Sequence, residues 1–162
     1  MRIFAAASVA LLALALCLQE IAVPAEPAPA AEVPHPKLPS GAGKIDADAP
    51  KAFTTTASGL KYRVLRKGTG RMPAAKDTVK VHYHGWLDNG TKFDSSYDRG
   101  ETIEFGLNQV IPGWTEGMQL VGEGGMIELE IPGNLGYGRR GMPPVIPPDA
   151  TLHFLVELKA VR

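Results

Sequence analysis

The side chains able to do chemistry gather in a few short stretches. "HYHGWLDNGTKFDSSYDRG", His82 to Gly100, puts histidine, tyrosine, serine, aspartate and arginine within one run. A serine with a histidine and an aspartate can drive acyl transfer, but only if all three share a pocket. Nothing in the spacing brings His84 to Ser95 or Ser96, so a hydrolase is not expected. His82, His84 and His153 could ligate a metal ion. His82 and His84, two apart, share one face of a strand, and histidines on a solvated sheet face are the commoner case. No metal and no cofactor is expected. Asp94 is different. It follows Phe93, and a carboxylate set among aromatics is costly to bury unless it is paired. Arg99, five residues on, is the available partner. The stretch "DSSYD", Asp94 to Asp98, also reads as a turn closed by side-chain hydrogen bonds, with Ser95 and Ser96 as turn residues.

A second stretch, "VIPGWTEGM", seats Trp114 at the first turn of a helix too short to be stable alone. Trp114, Met118 and Val121 fall at i, i+4 and i+7, on one helical face. The tryptophan is either plain core or the floor of something kept open.

The elements that position these residues have a period of two. In "GLKYRVL" Leu60, Tyr62 and Val64 alternate with Lys61 and Arg63; "TVKVHYHGWL", "MIELEIP" and "TLHFLVEL" alternate likewise. Such alternation predicts strands with one buried and one largely wet face, the habit of an antiparallel sheet. Asp88-Asn89-Gly90 predicts a tight turn. A curved sheet wrapped on one short helix is the simplest architecture. The long Gly- and Pro-rich stretch "GNLGYGRRGMPPVIPPD" is then an ordered loop, and such loops usually carry function.

The chain has 162 residues with 17 acidic and 17 basic side chains. That balance gives no electrostatic footprint for nucleic acid. "MRIFAAASVALLALALCL" has the layout of a signal peptide: one Arg2, an apolar run, then small residues. It is short for a membrane span. A leader over residues 1–25 is expected, with cleavage after Ala15, Ala25 or Ala30 left open. Residues 26–53, rich in Pro, Ala and Glu, predict an extended solvated linker with His35 in water, and residues 54–162 the globular domain. The expected location is outside the cytoplasm, periplasmic or secreted, with anchoring through an acylated Cys17 or an uncleaved leader as alternatives.

"VHYHGWLDNGTKFDSSYDRG", "VIPGWTEGM", "LGYG" and "IPPDATLHFLVEL" resemble the FKBP-type peptidyl-prolyl cis-trans isomerases, in family order and spacing across residues 54–162. The flank "SGLKYRVLRKGTG" is most similar to secreted bacterial members. The resemblance implies an α+β fold, a five- to six-stranded antiparallel half-barrel wrapped around one short helix, with an apolar pocket between them. It makes Trp114 the pocket floor and places Tyr83, Phe93, Asp94, Arg99, Val110, Ile111, Tyr137, Val145, Ile146 and Phe154 at the pocket. Ile103 stands where an aromatic is often found, and Met142 where some members have a histidine. Tyr83, Asp94, Ile111 and Tyr137 are implied to act on the substrate, the Tyr137 hydroxyl and Ile111 N–H as donors. The implied partners are proline-containing unfolded or partly folded polypeptides, with macrolides as inhibitors. Secreted relatives often carry a helical dimerisation domain that this sequence does not show, so a monomer is expected. A holdase or binding module using the same pocket with little turnover is the alternative function. "RRGMPPVIPP" is either the loop overhanging the pocket or a polyproline ligand for another protein.

Overall fold

The computed structural model describes residues 31–162; the leader, Cys17 and the first residues of the expected linker lie outside the described residues. Seven strands follow in chain order: β1 (Thr54–Thr55), β2 (Lys61–Arg66), β3 (Thr78–Leu87), β4 (Lys92–Ser95), β5 (Ile103–Gly106), β6 (Met126–Ile131) and β7 (Leu152–Val161). They form one antiparallel sheet in the order β1-β2-β6-β7-β3-β4. The count exceeds the expected five or six because two short strands share the outer edge of β3. β5 pairs with its first half and β4 with its second. The predicted turn joins β3 to β4, with Gly90 at φ 79°, a conformation that costs glycine no steric strain.

Two helices position the site. α1 (Ser96–Arg99) is a single turn ended by Gly100, and it carries Arg99. α2 (Pro112–Met118) begins with proline at its first position, where a missing N–H costs nothing. Its seven residues would not hold alone. Trp114, Met118 and Val121 are buried in the concave face of the sheet, as their spacing predicts, although Val121 lies just past the helix. Gly117 lets α2 sit close to β6: a Cβ there would stand 2.7 Å from a Leu129 methyl.

The convex face departs from expectation. It is not largely wet. Arg63, Glu128, Leu155 and Glu157, all on that face, are buried, and Leu65, Met126 and Leu155 form a second apolar cluster with Leu38, Ile45 and Trp86. The cover is the chain from Val33 to Lys51, expected as a solvated linker. It has no periodic apolar pattern to announce burial, and it is held through its backbone. Arg63 donates from Nη1 to the carbonyls of Val33 (2.6 Å) and Lys51 (2.7 Å), and from Nη2 to that of Pro34 (2.8 Å). Its Nε meets the Glu128 carboxylate at 2.6 Å. Further along, Gly43 N–H donates to Glu157 (2.5 Å), Arg66 to the Lys44 carbonyl (3.1 Å) and Asp46 N–H to the Leu65 carbonyl (2.8 Å). An extended segment without an internal ladder leaves its own carbonyls free to accept such bonds. His35 is not simply solvated either; its Nε2 lies 3.1 Å from the Pro50 carbonyl.

The three sheet histidines are likewise partly covered. His82 stacks on Tyr97 at 4.7 Å between ring centres, and His153 stacks on Trp86 at 5.6 Å. His82 Nδ1 lies 3.0 Å from Ser96 Oγ, which also accepts the Tyr83 N–H. That serine is fully buried and its hydroxyl is spoken for, so the pair is structural. Among the described residues no group of three or more His, Cys, Asp or Glu side chains is placed to hold a metal ion, and no helix is long and apolar enough to cross a membrane.

Candidate active site

A cavity of about 400 Å³ opens between the concave face and α2, within the ~300–1,000 Å³ usual for ligand sites. β3 contributes Tyr83, β4 Phe93 and Asp94, β5 Phe105, and β7 Phe154; the approach to α2 adds Gln109, Val110 and Ile111; the long loop adds Tyr137 and Met142. Trp114 is the hub of an aromatic cage. Tyr83 and Phe105 meet it edge-on at 5.6 Å between ring centres, and Phe154 at 5.3 Å; Phe93 meets Phe154 edge-on at 5.3 Å. Edge-to-face pairs set the positive rim of one ring on the negative face of another. The cage is thus rigid as well as apolar.

Gly85 is what lets the rings close up. It lies on β3 opposite Asp94 and Phe154, and a Cβ there would stand 2.6 Å from the Phe93 ring and 2.9 Å from that of Phe154. Any larger residue would push the wall into the cavity.

Among the described residues one charged group lines the cavity. The Asp94 carboxylate accepts hydrogen bonds from the Tyr83 hydroxyl, from Arg99 Nη1 at 2.5 Å and from the Ser95 N–H at 2.7 Å. Arg99 Nη2 reaches the Tyr83 hydroxyl at 3.1 Å, closing the triangle. Burial alone would raise the Asp94 pKa, but the Tyr83 and Arg99 bonds outweigh it and hold the carboxyl below its ordinary range. Burial raises the hydroxyls of Tyr83 and Tyr137, and the Asp94 charge adds to both. At neutral pH the site therefore holds an ionised carboxylate and two neutral phenols. Among the described residues, neither the Tyr137 hydroxyl nor the Ile111 N–H is engaged by a protein acceptor.

Of the residues expected at the pocket, the structure gathers Tyr83, Phe93, Asp94, Val110, Ile111, Trp114, Tyr137 and Phe154 around the cavity. Four stand apart. Arg99 acts from behind Asp94 and Tyr83. Ile103 pairs with Val81 of β3 and packs against the core; the aromatic ring on the cavity comes instead from Phe105, two residues on and so on the same strand face. Ile146 is buried beneath the loop, exchanging backbone bonds with Met142, and Val145 lies exposed at the loop tip. Sequence reasoning missed Phe105, Gln109 and Gly85. The period-two pattern of "TIEFG" carried the signal for the first; a lone strand glycine signals a close approach without saying of what.

Comparison with known proteins agrees with this geometry. The profile of the family described as FKBP-type peptidyl-prolyl cis-trans isomerase matches residues 69–159. An isomerase of that type from Aeromonas hydrophila, FkpA, is 55% identical over 108 residues, covering 67% of this chain and 40% of the relative. The FKBP-type 22 kDa isomerase of Escherichia coli is 51% identical over 108 residues, covering 67% of this chain and 52% of the relative. This chain thus spans about half or less of the length of those curated relatives. Among solved structures, FkpA from Escherichia coli superposes with a TM-score of 0.66 at 49% identity, over 68% of this chain and 51% of the other. AtFKBP13 superposes with a TM-score of 0.63 at 34% identity, over 68% of this chain and 98% of the other. Sheet, aromatic cage and sequence converge, and the chain belongs to the FKBP-type peptidyl-prolyl cis-trans isomerase family.

Proposed function

We propose that this protein is a peptidyl-prolyl cis-trans isomerase that accelerates X–Pro rotation in exported polypeptides. The observation that carries the reading is the aromatic cage around Trp114, with one neutralised carboxylate and two open donors at its edge. Rotation about an X–Pro bond faces a barrier of about 18–20 kcal/mol because the amide loses resonance, and the uncatalysed exchange takes tens to hundreds of seconds. No bond to hydrogen breaks. The twisted amide is less dipolar than the planar one, so a dry aromatic site favours it over water. The proline ring would sit over Trp114 between Tyr83, Phe105 and Phe154. Donors held in place by the fold stabilise the twisted carbonyl without reorganising. The Ile111 N–H and the Tyr137 hydroxyl fill that role, and Asp94, oriented by Arg99 and Tyr83, faces the carbonyl carbon. The substrates are proline-containing unfolded chains. The leader-like residues 1–25 support export to the periplasm or beyond.

A protease-coupled assay on a proline tetrapeptide, with the full chain, tests the reading. Catalysed cis-to-trans exchange is expected, lost on filling the cage with Phe154→Trp. Tight peptide binding without rate enhancement would instead favour the holdase alternative.

A further inference from the structure

Between the two loop residues that line the cavity, Tyr137 and Met142, the chain makes one tight turn, and Arg139 and Arg140 sit on it, both exposed. The turn is pinned. Gly138 and Gly141 bracket it at φ 55° and 59°, Gly141 N–H donates to the carbonyls of Tyr137 (3.2 Å) and Gly138 (3.1 Å), and Asp149 N–H donates to the Gly138 carbonyl (2.8 Å). A Cβ on Gly141 would stand 2.5 Å from the Ile146 carbonyl oxygen, so this turn cannot shift to accept another residue there. The backbone that carries the two arginines is therefore fixed between two residues of the cavity wall, within reach of a chain that enters.

They are also uncompensated. Among the described residues, Arg63, Arg66, Arg71, Arg99 and Arg162 each pair with a carboxylate. Arg139 and Arg140 do not. From Ile131 to Pro148 the sequence has no acidic residue. Asp149, next along, forms no ion pair with them, and the Asp94 charge inside the cavity is already matched by Arg99. Two neighbouring cations on an otherwise apolar, neutral mouth act on whatever chain enters. Field lines at the edge of a low-dielectric cleft are focused into it.

We infer that Arg139 and Arg140 are specificity-determining residues that select proline segments flanked by Glu or Asp over those flanked by Lys or Arg. This rests on the isomerase reading and adds a substrate class to it. The guanidinium fork suits carboxylates, pairing with both oxygens at once.

The test compares tetrapeptides of one length carrying Glu, Gln or Lys next to the X–Pro pair. With the full chain at low salt, kcat/KM for the Glu peptide should exceed that for the Lys peptide about three- to tenfold, the scale of two exposed ion pairs. The ratio should collapse towards one in 1 M NaCl, where the screening length is about 3 Å. KM should carry the difference. Arg139→Glu with Arg140→Glu should invert the preference, which damage to the loop cannot do, and Arg139→Lys with Arg140→Lys should keep its sign while weakening it, since the charge remains and the fork is lost. Tryptophan-fluorescence titration with the same peptides separates the two ideas. Equal turnover of Glu and Lys peptides would overturn the inference and leave the isomerase standing. Tighter binding of the Glu peptide without turnover of any would sink the isomerase and keep the cationic mouth.

Discussion

Among the described residues Asp94 is the single carboxylate on the cavity wall, and it is tied to neighbours that balance its charge without covering it. Replacing it with leucine should lower kcat/KM at least tenfold while the domain stays folded, since the group is partly exposed and contributes charge rather than packing. Full activity in Asp94→Leu would remove it from the mechanism. Phe154→Ala should differ in kind, costing about 3–5 kcal/mol in denaturant unfolding because it empties buried volume. A second expectation is a flat pH profile. The Asp94 carboxyl is held below its ordinary range, Tyr83 and Tyr137 are raised above theirs, and among the described residues no histidine lines the cavity. Between about pH 5.5 and 8.5 none of these groups changes charge, so kcat/KM on one neutral peptide should vary less than twofold. A sigmoid centred near 6.5 would put a histidine into the reaction. At this scale the sequence was most informative where chemistry needs a particular atom. Tyr83, Asp94, Arg99 and Trp114 were readable; Phe105 and Gly85 were not, because their contribution is shape.

Among the elements, the segment from Val33 to Lys51 was the least legible. Strands announce themselves through alternating side chains, and α2 through Trp114, Met118 and Val121. This arm binds mostly through main-chain groups, which every residue has, and its packed Leu38 and Ile45 stand too far apart to make a pattern. The clue lay on the partner side: Arg63, Glu128 and Glu157 alternate as if wet yet are buried. Truncating residues 31–50 should therefore lower the melting temperature by several degrees and uncover the Leu65, Met126 and Leu155 cluster to a hydrophobic dye. No change would mean the arm merely rests there. Arg63→Ala should cost about 3–5 kcal/mol in urea unfolding, since it strands the Glu128 carboxylate and three carbonyls. Gly85→Ala is the matching test on the other face. The rings of Phe93 and Phe154 must yield to the new methyl, at a cost of about 1–3 kcal/mol.

For the molecule as a whole, acidity should act on stability even where it spares turnover. His82 and His84 are both lowered below their ordinary value of 6.5, by burial first and then by Lys159 and Lys92 respectively. The unfolded chain then binds protons more readily than the native one, so their contribution is intact above about pH 6.5 and is lost as pH falls below it. Asp94 and Glu157, also lowered, act in the same sense at lower pH. Melting temperatures should plateau above pH 7 and decline from about 6.5 downward, and His84→Gln should blunt the first part of that decline. The global architecture was legible because the period-two pattern and the motif order both point to one sheet on one helix; the extra strands and the covered convex face arise from pairings too short or too featureless to write themselves into composition. The placement of the arm has a mechanical consequence. It lies on the face of the sheet opposite the aromatic cage, so a pull on the N-terminal end is met by the exposed Glu32–Lys51 ion pair and then by the fork of Arg63 on the Val33 and Pro34 carbonyls. Those bonds would give way in sequence and spend the work of extension in peeling the arm from the convex face before the backbone ladder of the sheet parted. A chain tethered at that end can be tugged by its surroundings while the cage keeps its dimensions.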